Sequence, residues 1–239
     1  SSADTVLLME TAAIIPAFNE AESLPNVIRE IKELFPDHLI VVVDDGSTDG
    51  TADIAKKFDC VCLCMPFNLG IGGALRLGFR YCLDREIDYA YQFDADGQHD
   101  PTQISSLLSE LENSDMVIGS RFSTNYSYEV GQSRKAAMNF LRFLVRIYTG
   151  QKFTDTSSGF RAFRKPVIRL FAKEYPVEYM DSVEALLIAS KNGFKISEIP
   201  VQMRERSAGQ PSNRNFRLVY YFLRLLIVLL AGTRGKKKE

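Results

Sequence analysis

Charge of one sign is what this 239-residue sequence most plainly lacks: 29 Lys and Arg stand against 30 Asp and Glu, a formal net charge of −1. The whole-molecule field gives no reason to expect nucleic acid as a partner, so any basic site has to be local. A disulfide framework is missing as well. Three of the four cysteines, Cys60, Cys62 and Cys64, fall in "CVCLC", an alternation that directs all three to one face of a strand. Neighbouring positions on one strand do not suit disulfide geometry, and the C-x-x-C spacing of structural zinc is absent. The cysteines read as small buried hydrophobes in a reducing compartment. The single sequon, Asn125-Tyr126-Ser127, then reads as chance. The opening "SSADTVLLME" has no basic start and too short an apolar run for a secretory leader. Internal repeats, low-complexity tracts and a clean linker are also lacking.

What is present is an ordinary globular composition, 46% hydrophobic and 25% charged, enough to bury one large core. Short β-rich runs alternate with helical patterns. "TAAII" (11–15), "LIVVV" (39–43), the cysteine run, "YAYQF" (89–93) and "MVIG" (116–119) predict five strands. Leu24, Val27, Ile28, Ile31 and Leu34 keep helical spacing until "FPD" stops them, and "GALRLGFRYCL" predicts a second helix. Alternation of this kind implies βαβ units and a mainly parallel sheet, with ligands beyond the carboxyl ends of the strands. The second half is less regular, with a helix over 181–193, a strand over 195–203, and Tyr126 to Ser133 as a loop.

Long apolar runs are scarce, with one exception. "FRLVYYFLRLLIVLLA" (216–231) is followed by Arg234, Lys236, Lys237 and Lys238. It is shorter than the ~20 residues a spanning helix needs. With Arg217 and Arg224 sharing one face, it predicts an amphipathic interfacial helix against an anionic leaflet, the alternative being a helix docked on the core or on another subunit. The expected organisation is a domain over 1–212 and a membrane-interface or oligomer-contact segment over 213–239.

Three polar clusters stand where strands run out: "PAFNE", "DDGSTD" and "DADGQH". Asp94 and Asp96 flank one residue, and Gln98 adds a neutral oxygen. Hard oxygen donors with no soft ligand select Mg2+ or Mn2+. The plainer reading is a solvated acidic turn in which Asp100 caps a helix starting at Pro101. "GIGGAL" from Gly70 follows a strand and opens a helix, but the third glycine of a dinucleotide fingerprint is Leu75, so Gly70, Gly72 and Gly73 serve close packing or backbone approach to a ligand.

Taken in order, "TAAIIPAFNEAESLP", "VVVDDGSTDGT", "NLGIGGALRLGF", "FDADGQHDP", "GSRF" and "DTSSGFRAF" give the sequence a clear likeness. Over roughly residues 11–212 it resembles the family 2 glycosyltransferases of GT-A fold, in the branch of dolichyl-phosphate mannose synthase and the bacterial polyprenyl-phosphate glycosyltransferases. The resemblance implies a Rossmann-like α/β domain acting as an enzyme. Pro16, Ala17, Phe18, Glu20, Asp44 and Asp45 would form the nucleotide pocket. Asp94, Asp96 and Gln98 would hold the metal and diphosphate, with Gly73 near the cofactor. Arg121, Arg134 and Lys135 would face an acceptor phosphate; Met138 stands where that branch usually carries a serine. Glu184, Arg204, Arg206 and Ser212 match later acceptor-side elements. The implied reaction is metal-dependent, inverting transfer of one sugar from a nucleotide donor to polyprenyl phosphate at the cytoplasmic membrane face. A small membrane partner or homo-oligomer would complete the anchor. Rival readings are transfer to a saccharide or protein hydroxyl, with Glu184 or Asp181 as general base, and a non-catalytic membrane subunit. UDP-linked glucose or N-acetylglucosamine is favoured over GDP-mannose on family frequency alone.

Overall fold

The computed structural model describes residues 10–121, 132–177 and 181–204. Seven strands form one sheet: β1 (Thr11–Ala17), β2 (Leu39–Asp44), β3 (Val61–Cys64), β4 (Tyr89–Gln92), β5 (Met116–Ser120), β6 (Arg161–Arg164) and β7 (Ile196–Pro200), in the order β3-β2-β1-β4-β6-β5-β7. All pairings are parallel except those of β6, which runs against both β4 and β5. The helices are α1 (Leu24–Leu34), α2 (Thr51–Lys57), α3 (Ile71–Asp84), α4 (Ile104–Glu110), α5 (Gln132–Thr149), α6 (Lys165–Glu174) and α7 (Asp181–Lys191).

The central strands read as unbroken apolar runs because helices cover both faces. Alternate residues of β1 and β2 serve two cores. Ala13, Ile15, Ile40 and Val42 meet Leu24, Val27, Ile28 and Ile31 of α1, with α2 and α4 alongside. Ala12, Ile14, Val41 and Val43 meet Leu75, Phe79 and Cys82 of α3, backed by α6 and α7. The result is a three-layer α/β/α sandwich, as the alternation predicts. The sequence pattern does not reveal β6 or the 18-residue α5. β6 is only four residues long, and α5 carries two arginines between its aromatic positions.

All four cysteines are free; Cys62 and Cys64 point the same way from β3, their sulfurs 3.5 Å apart. Gly72 and Gly73 both sit in close packing. A Cβ on Gly72 would stand 2.2 Å from the Pro176 carbonyl oxygen, and one on Gly73 2.9 Å from Leu69 Cβ. Gly70 instead supplies a positive φ of 89° that starts α3. Among the described residues no helix is long and apolar enough to cross a membrane. The apolar segment 216–231, the basic tail, Arg206 and Ser212 lie outside the described residues, as do 122–131; Gln132 and Ser133, expected in a loop, open α5.

Candidate active site

The carboxyl ends of β1, β2 and β4 gather the three polar clusters on one edge, as a parallel sheet requires. β6, being antiparallel, brings its amino end and the preceding "DTSSGF" segment to the same edge.

On the β1 and β2 side most polar groups are committed to one another. Asn19, held at φ 55°, donates its N–H to Ser47 Oγ (2.9 Å) and accepts from the Thr48 N–H (2.9 Å). The Glu20 N–H donates to Thr51 Oγ1 and the Ala21 N–H to Asp49 Oδ2, so the "FNE" turn and the "GSTDGT" loop are laced together. Glu20 accepts from Ser23 Oγ at 2.7 Å. Asp45, 3% exposed, accepts from the Leu69 and Gly70 N–H groups, both at 2.8 Å. It therefore latches the loop that leads into α3. Burial pushes its carboxyl up, against the pull of those two amides. Asp44 differs: it is 4% exposed, and its Oδ1 has no hydrogen-bond partner. Of the two adjacent acids, Asp44 is the one with an acceptor to offer a base. Phe18 stands 46% exposed at the rim, beyond Pro16 and Ala17.

On the β4 side the chain turns sharply after Phe93. Gly97 takes a positive φ of 75°, and the Gln98 N–H donates to Asp96 Oδ1 at 3.0 Å. Asp100 caps the short 3-10 turn at Pro101 by accepting from the Thr102 N–H, so the capping role and the acid pair coexist. Asp94 Oδ1 is buried without a partner, as are both side-chain polar atoms of Gln92, two residues earlier on the same face. A Cβ at Gly159 would stand 3.0 Å from Gln92 Nε2 and 3.3 Å from each Asp94 oxygen, so a glycine keeps this small space open.

The donor set suits Mg2+ or Mn2+: Asp94 with an unused carboxylate oxygen, Asp96, and the amide oxygen of Gln98, all hard. Among the described residues no cluster of three His, Cys, Asp or Glu side chains forms a full cage. Two carboxylates that leave other positions to phosphate and water are the usual arrangement for Mg2+ in phosphate chemistry.

The sequence-predicted basic residues have mixed placements. Arg121 follows β5 and forks onto Asp155, with Nε to Oδ2 at 2.7 Å and Nη2 to Oδ1 at 3.0 Å, and also donates to Ser157 Oγ. Burial works to raise the Asp155 carboxyl, but its bonds to Arg121 outweigh that and hold it below the usual range. Arg134 and Lys135 fall in the first turn of α5. Arg204, placed on the acceptor side by the resemblance, pairs with Glu30 of α1 (2.6 Å) and with Asp100 (3.1 Å), tying the segment after β7 to the loop that follows β4. Glu184 is half-buried on α7, its carboxyl raised by burial and by nearby Asp181.

Sequence reasoning missed two residues here. Arg161, 1% exposed, donates to the carbonyls of Ser158, Thr156 and Ser182, joining the "DTSSGF" loop to the start of α7. His99, 2% exposed, faces Asp94. A cation in the first position of a strand, and a histidine ending "DADGQH", were the available signals.

A mainly parallel sheet covered on both faces thus carries an acid pair just past its fourth strand. Residues 12–171 match the model of the Glycosyl transferase family 2 domain, and the chain belongs to that family. It is similar to the undecaprenyl-phosphate mannosyltransferase of Micrococcus luteus, 32% identical with 84% of this chain and 86% of the relative covered. It is also similar to the UDP-N-acetylglucosamine–dolichyl-phosphate N-acetylglucosaminyltransferase of Methanococcus voltae, at 30% with 92% and 95% covered. Among solved structures it superposes on glucosyl-3-phosphoglycerate synthase of Mycobacterium tuberculosis in complex with Mn2+, UDP and phosphoglyceric acid. That match has a TM-score of 0.71 at 19% identity, covering 99% of this chain and 82% of that one, a likeness of fold.

Proposed function

We propose that the protein moves one sugar from a nucleotide-sugar donor to polyprenyl phosphate at the cytoplasmic membrane surface, with inversion and with a divalent cation. The observation that carries this reading is the hard-oxygen pair Asp94 and Asp96 on the strand-end edge of a family 2 chain whose relatives at 30–32% identity bear polyprenyl-phosphate names.

Asp94, Asp96 and Gln98 would hold the cation. When bound, Mg2+ or Mn2+ supplies charge stabilisation for the departing nucleoside diphosphate. Asp44, with its unpartnered oxygen, would accept from the base, while Asp45 fixes the neighbouring loop rather than touching the nucleotide. In the displacement, a phosphate oxygen of the acceptor forms a bond to the anomeric carbon as the bond to the diphosphate oxygen breaks. That acceptor oxygen is anionic at neutral pH, so no residue has to remove a proton. Asp155 sets the plane of Arg121, so an acceptor phosphate would meet a guanidinium of fixed orientation. Arg134, Lys135, Arg206 and Ser212 are its proposed companions.

The membrane reading has its own support in α5. Phe140, Phe143 and Ile147 are 42%, 56% and 67% exposed, and the helix carries Arg134, Lys135, Arg142 and Arg146 with no acid. An apolar stripe beside cations suits the surface of an anionic leaflet. Residues 213–239 are proposed as a second contact.

The decisive experiment incubates the protein with polyprenyl phosphate and UDP-glucose, UDP-N-acetylglucosamine or GDP-mannose in turn, with mass spectrometry of the lipid fraction. A glycolipid with one donor is expected; no product with any donor removes the lipid acceptor. Glu184→Gln should retain near-full activity if the acceptor is a phosphate, and collapse if it is a hydroxyl.

A further inference from the structure

We propose that Cys62 and Cys64 form a two-thiol site for a trivalent organoarsenical at the margin of the nucleotide seat, and that its occupant excludes nucleotide. The second half rests on the reading of Asp44 as the acid that meets the base. β3 is the outermost strand on its side of the sheet, and both thiols leave it on one face. Contrary to the expectation of three buried thiols, Cys64 is exposed, and Cys60 and Cys62 are half-buried. Cys62 and Cys64 carry their sulfurs 3.5 Å apart, whereas Cys60 is turned to the Phe58 carbonyl at 3.7 Å. Cys62 donates to the Ala52 carbonyl of α2 (3.7 Å), which leaves its sulfur lone pairs to the Cys64 thiol.

The spacing decides which chemistry fits. A disulfide needs its sulfurs at about 2.05 Å, far inside the present gap. Two sulfurs on one tetrahedral centre, with bonds of about 2.3 Å, stand roughly 3.8 Å apart, within a few tenths of an ångström of this pair. Structural zinc asks for four ligands, and among the described residues no group of three His, Cys, Asp or Glu side chains gathers to hold it. Arsenic(III) that carries one aryl group asks for two sulfurs and no more. Each thiol forms an As–S bond, the arsenic–oxygen bonds of the oxide break, and both thiol protons leave with that oxygen as water; arsenic stays trivalent. Burial pushes the Cys62 thiol up to about 12, with Cys64 and Asp44 adding to it, so exposed Cys64 makes the first bond and Cys62 closes the ring. Cys64 lies in register with Asp44 of β2, one strand spacing of about 4.8 Å away. The two share a face, as Val42 and Cys62 do in the core beneath them. An aryl group held on Cys64 therefore takes up space beside Asp44.

The test treats the reduced, full-length protein with phenylarsine oxide and follows uptake by intact mass and by titration of free thiols. The unaltered chain is expected to take up one arsenic and lose two of its four thiols. Cys62→Ser and Cys64→Ser should each weaken uptake about 10²- to 10⁴-fold, the advantage a second tethered contact confers, while Cys60→Ser leaves it unchanged. Melting curves check that each variant folds. No uptake, or uptake that survives either of the first two substitutions, overturns the site. UDP affinity, measured by calorimetry, should fall about 10-fold or more in the adduct and return when excess 1,2-ethanedithiol strips the arsenic. Unchanged affinity overturns the exclusion of nucleotide. Uptake is read without nucleotide, sugar or lipid, so an untreated chain that binds no UDP overturns the reading of Asp44 and leaves the thiol site to stand or fall on uptake.

Discussion

The two halves of the strand-end edge are built on opposite plans. Beyond β1 and β2, side chains and amides bond to each other, Asp44 Oδ1 being the exception: Asn19 to Ser47 and Thr48, Asp49 to Ala21 and Thr51, Asp45 to Leu69 and Gly70. Beyond β4 and before β6, Gln92 and Asp94 Oδ1 are buried without partners, and a glycine keeps the space beside them clear. A buried polar atom left unpaired costs about 1–3 kcal/mol, so the second region is held in place by something other than its own contacts. That support comes from behind, through Arg161 bonded to three carbonyls, Arg121 forked on Asp155, and His99 on Asp94. The lesson is a division of labour: one region is bonded to itself, and the other is a largely buried acid pair backed by a charged scaffold.

Several substitutions would break or sharpen that contrast. Asp96→Ala should lower kcat for glycolipid formation about 10³-fold, the loss expected when a group that stabilises leaving-group charge goes, with Tm nearly unchanged. An equal fall in Tm would mean the acids support the fold instead. Asp155→Asn should lower stability by roughly 2 kcal/mol in urea melts, since Arg121 keeps a third of its side chain in water and the cost of an unpaired charge is partly screened. The pH sign is fixed. A carboxyl held low in the fold contributes fully above its unfolded value near 4, and that contribution fades as pH falls through the folded value. Asp155→Asn should flatten this acid limb.

Asp45→Ala strands two amides and should lower stability by about 1–2 kcal/mol, whereas Asp44→Ala should leave Tm alone and weaken UDP about 10-fold by calorimetry. If both behave alike, the two adjacent acids do not differ as their contacts do. The smallest effect belongs to Gly159→Ala, expected to weaken Mn2+ several-fold through crowding of Asp94 while costing under about 1.5 kcal/mol of stability.

The sheet and its ligand edge were readable in the sequence because buried parallel strands leave continuous apolar runs, and turns at their ends leave Asp, Gly and Asn. "FDADGQHDP" disclosed the acid pair for that reason. It did not disclose that His99 is buried against Phe160, because a single histidine after a turn has the same spacing whether it faces solvent or folds back. Asp44 and Asp45 were indistinguishable in one dimension; only the loop at Leu69, twenty-odd residues away, separates them. The ion pairs of Arg204 were not readable either, because its partners, Glu30 and Asp100, are remote in the chain. β6 escaped notice because one short antiparallel strand in a parallel sheet has no periodicity of its own.

That reversed strand has a further consequence. Since β6 enters the sheet at the edge where its neighbours leave it, Gly159 comes up beside Gln92 and Asp94 from the opposite bank, like the far abutment of a bridge. On the proposed function, lengthening or reshaping the chain just upstream of Asp155 would alter the acceptor side and leave the loops beyond β1 and β2 undisturbed. A single change of direction in the sheet would thus let one side of the edge vary while the other is kept.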